Sequence, residues 1–393
     1  MTLSHRVFVT NDSLSNYIHV WYVAERLWHG HGIPLRMPVL AHGDAYAFPY
    51  AFVPWLTAAL VRPLLGDWTV TLWLVGGFLG LLAAQWWAFP ELRSAWWQAL
   101  LLLNPMLVEA PLLGQLPFIW ATAMLFLAVA AWRRDAPRVA ALLAGASQAT
   151  HPAVMLPIVG PLVLARLWWE PHRARLLVAY AASLVIAAPA VALVLASPAV
   201  EDTSTRVLLG NFFGTVSLRA IAVAGPFIAL ALQRTPLARA PLALFVVLVG
   251  LNVVLTPVRR NQYAWRALVR TPDTAARDFT NTQQFVPGAT YRVLDAGDGK
   301  VSMYRMLQAG AVLDAEPFPE SIRYDRFVSR AAYAAFLRHR EVDYVMIFAR
   351  YDAAYRTNEH HLLDEMTAPG DGCAALVTRD ARFDVYQVDR ARC

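Results

Sequence analysis

FPYAFVPWLTAALVRPLL, residues 48–65, is apolar enough to cross a membrane, and whether it crosses sets the topology of everything on either side. Pro49, Pro54 and Pro63 would each disrupt the hydrogen bonding of a straight span, and Arg62 would carry a charge into lipid. The stretch reads instead as an amphipathic helix on the outer membrane surface, with Phe48, Tyr50 and Trp55 at the interface. Residues 1–66 then form one long extracytoplasmic loop.

The rest of the chain fits that reading. Apolar residues make up 58% of the 393 residues, charged residues only 16%, and mean hydropathy is +0.41. A soluble protein could not keep so much apolar surface from water, so the expected fold is mostly α, a polytopic membrane helix bundle over residues 67–257. About eight spans are readable, near 68–88, 94–112, 115–132, 137–150, 153–168, 174–197, 212–232 and 240–256. The two around His151-Pro152 are the shortest and read as a broken hairpin. Arginines cluster at 133, 134 and 138, at 166, 173 and 175, and at 234 and 239; the positive-inside rule places those three loops in the cytoplasm. Trp86, Trp87, Trp96, Trp97, Trp132, Trp168 and Trp169 fall on the same inner side, where interfacial tryptophan belongs.

Residues 258–393 change composition and, by alternation of crossings, lie outside. YRVLDA, VDYVMIF, CAALVT and FDVYQV read as strands, SMYRMLQAG, SRAAYAAFLRHR and TNEHHLLDEM as helices, the last capped by Thr357 or Asn358. This is a small extracytoplasmic α/β domain. Its Cys373 and Cys393 are the only cysteines, and they read either as a disulfide or as two free thiols. The pI of about 9.5 comes from arginine, which cytoplasmic loops explain without a nucleic-acid partner.

Asn11-Asp12, AERLWHGHGIP, AHGDAYAFPYAFVPWLTAAL, LLLNPMLVEAPLLGQ and ATHPAV (149–154) together resemble the GT-C superfamily of membrane glycosyltransferases. The narrower resemblance is to bacterial membrane proteins named after 6-pyruvoyl-tetrahydropterin synthase, although no pterin-enzyme metal triad is readable. The resemblance implies an enzyme of the cytoplasmic membrane that takes a sugar from a polyprenyl-phosphate donor, inverts its anomeric carbon, and passes it to an envelope glycan, lipid or protein acceptor outside. Some relatives need a divalent metal. The first helix of the plan has no counterpart before Asn11, so the chain reads as starting late, and a truncated or inactive relative stays open.

Such a transfer needs a base for the acceptor proton and a partner for the departing phosphate. Asp12 is the first choice for the base, alongside its plainer reading as the N-cap of a helix over 13–28. Asp44, in AHGDAY, is the second acid; Gly43-Asp44 is equally a turn. His19 and His42 are substrate-cleft candidates near these acids. Arg219 and Arg206 are the arginines placed for donor phosphate, with snorkelling to the interface as the alternative for Arg219. His151 and Gln115 are further donor contacts, or polar caps of their turns. No metal site is expected; His29-x-His31 lacks a nearby acid, and His360-His361 lacks a third ligand. Tyr351 and Asp352 follow a buried strand, which is weak grounds for a ligand. A different class of reading is a non-catalytic transporter or assembly partner for lipid-linked glycans. The charges sit at the rims and not at mid-membrane, which favours the enzyme.

Overall fold

The computed structural model describes residues 13–40, 43–47, 52–94, 110–111, 114–197, 219–220, 223–227, 229–230, 275–294, 301–314, 327–349, 351–355, 357–368 and 372–393. The expected spans 94–112 and 240–256 fall largely or wholly outside them, and 212–232 is described only in part. Two compact units emerge. One lies within His19–Leu35 and Ala45–Val269, the other within Met1–Ile18, Arg36–Asp44 and Arg270–Cys393.

The first described element is helix α1 (Ser13–Trp28), followed by two short strands, β1 (Arg36–Met37) and β2 (Asp44–Ala45). The helices with described bounds that follow are α2 (Phe52–Leu65), α3 (Trp68–Ala88), α4 (Leu116–Arg133), α5 (Pro137–Thr150), α6 (Pro152–Leu167) and α7 (Arg173–Leu195). Among the described residues α3, α4 and α7 are long and apolar enough to cross a membrane. The 14-residue α5 and 16-residue α6 are not: at 1.5 Å per residue they reach about 21 and 24 Å against a hydrocarbon core of about 30 Å. Three prolines of this region sit where their missing N–H costs least, whereas Pro63, Pro157, Pro161 and Pro189 lie inside helices. Pro117, Pro137 and Pro152 occupy first turns, whose N–H groups have no partner within the helix.

The segment 52–65 is a helix packed on its neighbours. Its Trp55, Ala58 and Ala59 are fully buried, while Leu60 and Leu64 are exposed. Trp28 Nε1 donates to Ala59 O at 3.2 Å, and Trp73 Nε1 to Thr57 Oγ1 at 2.9 Å. Arg62 finds Glu25 at 3.5 Å and Asp67 at 3.4 Å, so its charge is matched.

Small residues draw the bundle together. Gly77 of α3 faces the Trp120 ring so closely that an added Cβ would lie 2.4 Å from its Nε1, which donates to Trp73 O. On α5, Gly145 meets Ile186 and the Ser183 carbonyl of α7, where a Cβ would lie 2.6 and 2.9 Å away. Polar groups bind across the same seams: Ser147 Oγ donates to Ala121 O at 2.6 Å, and Gln148 Nε2 to Ser183 Oγ at 2.9 Å. Such close backbones with interhelical hydrogen bonds replace the hydrophobic drive that lipid cannot supply.

The other unit contains α8 (Ala275–Thr280), β3 (Thr290–Leu294), α9 (Val301–Gln308), β4 (Val312–Leu313), α10 (Arg330–His339), β5 (Tyr344–Phe348), α11 (Tyr351–Tyr355), α12 (Glu359–Met366), β6 (Ala374–Arg379) and β7 (Phe383–Val388). Its five strands run in the order β4-β3-β5-β7-β6, with β3 parallel to β4 and β5 and the β6–β7 hairpin antiparallel on the other side. The edge of β4 is covered by the early chain: Leu40 bridges Leu313 in parallel, and Leu313 N donates to Val39 O at 2.9 Å. Covering an edge in this way removes a site for unwanted pairing. Cys373 and Cys393 form a disulfide.

Three charged side chains, Arg292, Asp314 and Glu359, are buried together in this sheet unit, and the half-buried Arg340 joins them. Arg292 makes a two-pronged bond to Glu359, Nε to Oε2 at 2.8 Å and Nη2 to Oε1 at 2.9 Å, and reaches Asp314 at 3.1 Å. Arg340 Nε holds the other Asp314 oxygen at 2.7 Å. Burial alone would lower the Arg292 pKa, but Glu359 and Asp314 more than reverse this and keep it charged. Asn358 stands at the N-cap position of α12, as one of the two expected residues, but its side chain makes no capping bond. Asn358 spends its amide on Phe327, accepting from N and donating to O. Asp352, eight residues upstream of His360, accepts instead from the backbone N–H groups of His360 and His361 and from the Thr357 hydroxyl.

Candidate functional site

His151 is the single residue between α5 and α6, and its backbone serves both. Its N–H closes α5 onto Ser147 O at 3.1 Å, while its carbonyl accepts from Met155 at 2.8 Å to open α6. Its extended backbone (φ −143°) and the following proline end one helix and begin the next. The imidazole is thereby held at the apex of a short hairpin, 2% exposed.

Three other groups gather at this end of the bundle. Phe118, in the first turn of α4, meets the imidazole edge-on with centroids 6.4 Å apart. Arg219 brings Nη1 to 3.4 Å from His151 Nε2 and sets its Cζ 5.7 Å from the Phe118 ring. Because arginine only donates, this contact requires Nε2 to be the accepting nitrogen. Gln115 lies one turn before Phe118, ahead of α4, 7% exposed; its Oε1 is buried without a partner among the described residues. A buried acceptor without a donor is costly unless something supplies one. A guanidinium with further N–H groups, an imidazole and an open amide oxygen suit a ligand that carries both phosphate oxygens and hydroxyls.

The structure thus brings together two residues singled out in the sequence, Arg219 and His151, adds Phe118, and places Gln115 three residues ahead of Phe118. Nothing in the spacing marks Phe118 beyond its position three residues after Gln115. Asp12, His42 and Arg206 lie outside the described residues. Asp44 is placed on β2, with its side chain outside the description. His19 is 2% exposed and stacks on Trp55 with centroids 3.8 Å apart.

The tail has an open hollow of about 350 Å³ near the β6–β7 turn, lined among others by His360, Arg379, Phe383 and Asp384. Its charges are matched: Asp384 lies 3.2 Å from both His360 Nε2 and Arg379 Nη2. Tyr351 is buried and Asp352 is committed to its cap. Among the described residues no three His, Cys, Asp or Glu side chains converge on a point that could hold a metal.

Among the described residues, short and long apolar helices accompany a small sheet unit. The chain is similar to ArnT from Cupriavidus metallidurans, solved bound to undecaprenyl phosphate, with a TM-score of 0.50 and 14% identity over 98% of this chain and 94% of that one. At that identity the likeness is one of fold. No protein-family model matches the chain, and no curated protein does.

Proposed function

We propose that the protein is a GT-C-type glycosyltransferase that moves a sugar from a polyprenyl-phosphate donor to a glycan, lipid or protein acceptor on the outer face of the cytoplasmic membrane. The observation that carries this reading is the Arg219–His151 contact, with Phe118 against both, and with Gln115 Oε1, three residues before Phe118, buried without a partner among the described residues. The fold shared with a protein solved bound to undecaprenyl phosphate supports it. The narrower likeness to proteins named after 6-pyruvoyl-tetrahydropterin synthase has no support from the comparisons and plays no part.

In the proposed reaction the acceptor oxygen attacks the anomeric carbon as the bond from that carbon to the phosphate oxygen breaks, inverting the centre. Asp12 takes the acceptor proton, with Asp44 the second choice for that role. The bridging electrons leave with the phosphate. Arg219 donates hydrogen bonds to the phosphate as its charge grows, His151 fixes the guanidinium, and Arg206 is a second cation for the same group. A partly dry site makes such donors most effective. Gln115 accepts from a sugar hydroxyl.

The test is a transfer assay in membranes with a panel of polyprenyl-phosphate sugars, products read by mass. Transfer by the wild type that Asp12→Asn and Arg219→Gln lose at equal expression supports the enzyme. Transfer undiminished in both removes these roles. Absence of transfer from every donor, with movement of intact lipid-linked glycan across vesicles, decides for the transporter.

A further inference from the structure

One end of the helical unit gathers the last turns of α3, α4 and α6 with the first turns of α5 and α7. Ion pairs tie these turns together: Arg133 to Glu91, Arg175 to Asp135 at 2.5 Å, and Arg166 to Glu170 at 2.9 Å. Trp132 Nε1 also donates to Glu170 at 3.2 Å. These contacts place the loops 89–94, 133–138 and 166–175 at the same end.

The cations there outnumber the anions. Among the described residues, seven arginines (93, 133, 134, 138, 166, 173 and 175) face three carboxylates (Glu91, Asp135 and Glu170), a surplus of four. Arg93 and Arg134 donate to neutral carbonyls, Trp86 O and Ala130 O, and no carboxylate pairs with them among the described residues. Arg138 and Arg173 are exposed, with no carboxylate partner among the described residues. Tryptophans ring the same end: Trp168 is 78% exposed, Trp169 71%, and Trp86 and Trp87 are also open. Exposed indoles next to apolar helix flanks belong at the headgroup level of a bilayer, where uncompensated guanidinium groups meet lipid phosphates.

We propose that this end is a binding surface for anionic phospholipid headgroups, with Arg138 and Arg173 as its phosphate contacts and Trp86, Trp87, Trp168 and Trp169 setting its depth. The glycosyl-transfer reading is not needed for it: the surface is built from residues other than Arg219, His151 and Gln115.

The experiment uses the full chain in neutral detergent micelles. Phosphatidylglycerol or phosphatidylcholine is titrated in, with thermal midpoint and lipid retained in native mass spectra as readouts. Phosphatidylglycerol is expected to be retained and to raise the midpoint in preference to phosphatidylcholine. Arg138→Gln with Arg173→Gln should raise the half-effective phosphatidylglycerol concentration roughly twenty-fivefold, about fivefold per arginine, while Arg338→Gln in the tail leaves it unchanged. Equal effects of the two lipids would overturn the proposal. So would a preference that survives the double substitution, or a midpoint shift reproduced by inorganic phosphate alone. Should the double variant not fold, the wild type decides. Its preference must shrink as salt rises from about 0.1 to about 1 M, where the screening length falls from about 10 to about 3 Å; a salt-independent preference refutes the headgroup contact.

Discussion

Arg219 stands with Nη1 3.4 Å from His151 Nε2, where α5 gives way to α6. If this guanidinium receives the leaving phosphate, Arg219→Gln should lower transfer by about a hundredfold or more, the scale seen for loss of one preorganised donor. Arg219→Lys should recover little, because a point charge lacks the flat fork that can bind phosphate and imidazole together. Single-turnover transfer in membranes, normalised to expressed protein, measures both. A Lys variant close to wild type would show that charge alone suffices.

Gly145 cannot carry a larger side chain without moving α7. Its absent Cβ would lie 2.6 Å from Ile186 Cβ. Gly145→Val should therefore destabilise the bundle by about 1–3 kcal/mol, the cost of overpacking, and Ile186→Ala should recover part of it. Thermal unfolding in detergent reads this. A midpoint equal to wild type would mean the helices have room to part.

Glu170 links α4 to the α6–α7 turn, and its acidity predicts a pH profile. Burial pushes its pKa up, but Trp132 Nε1, the His172 N–H and Arg166 pull it net below the usual carboxylate value. Its stabilising contribution is therefore complete above a pH of about 4.5 and disappears as pH falls through the lower folded value. Glu91, held down chiefly by its Arg133 hydrogen bond, acts in the same direction. Denaturant midpoints from pH 7 downward should fall more steeply for wild type than for Glu170→Gln; parallel curves would remove this residue from the acid response.

In the sheet unit, Glu359→Gln should cost about 3–5 kcal/mol, because Arg292 would be left buried with a weakened partner. Replacing both, Arg292→Met with Glu359→Leu, should cost less than the two single changes added. A double-mutant cycle by chemical unfolding of the full chain tests this. Strict additivity would mean the two side chains do not act as a pair.

The Cys373–Cys393 disulfide ties the last residue to the start of β6. Closing a loop of this length constrains the unfolded chain by about 3 kcal/mol, so reductant or Cys393→Ser should lower the stability of the sheet unit by a comparable amount. Thiol labelling before and after reduction checks the bond itself. Free thiols in protein taken from intact cells would show that it does not form there.

How much of this was legible depended on how local the cause was. The apolar runs that became α3, α4 and α7 needed only composition, and the hydrophobic strands β3, β5, β6 and β7 only their β-branched and aromatic content. The α5–α6 break was visible in His151-Pro152, because proline restricts the residue before it. Long-range partners left no trace. Arg292 looked like one polar residue in YRVLDA, and its partners are 22 and 67 positions away. The two-residue β4 is too short for any pattern. Asn358 was legible as the N-cap of α12, but not that its amide turns to Phe327 while Asp352 accepts from the first-turn N–H groups across an intervening turn. At the candidate site, residue types could nominate Arg219, His151 and Gln115 individually, but only the fold could put Arg219 and His151 together.

The hydrogen bond from Leu313 to Val39 joins positions 274 apart. A ribosome adding about 5–20 residues per second delivers the second partner roughly a quarter of a minute to a minute after the first. Throughout that interval the backbone near Val39 waits without the strand it will lie against. The early segment therefore acquires its final neighbour only after the intervening apolar helices have been synthesised, and a nascent chain arrested before residue 312 would hold that segment exposed to proteases and to other chains.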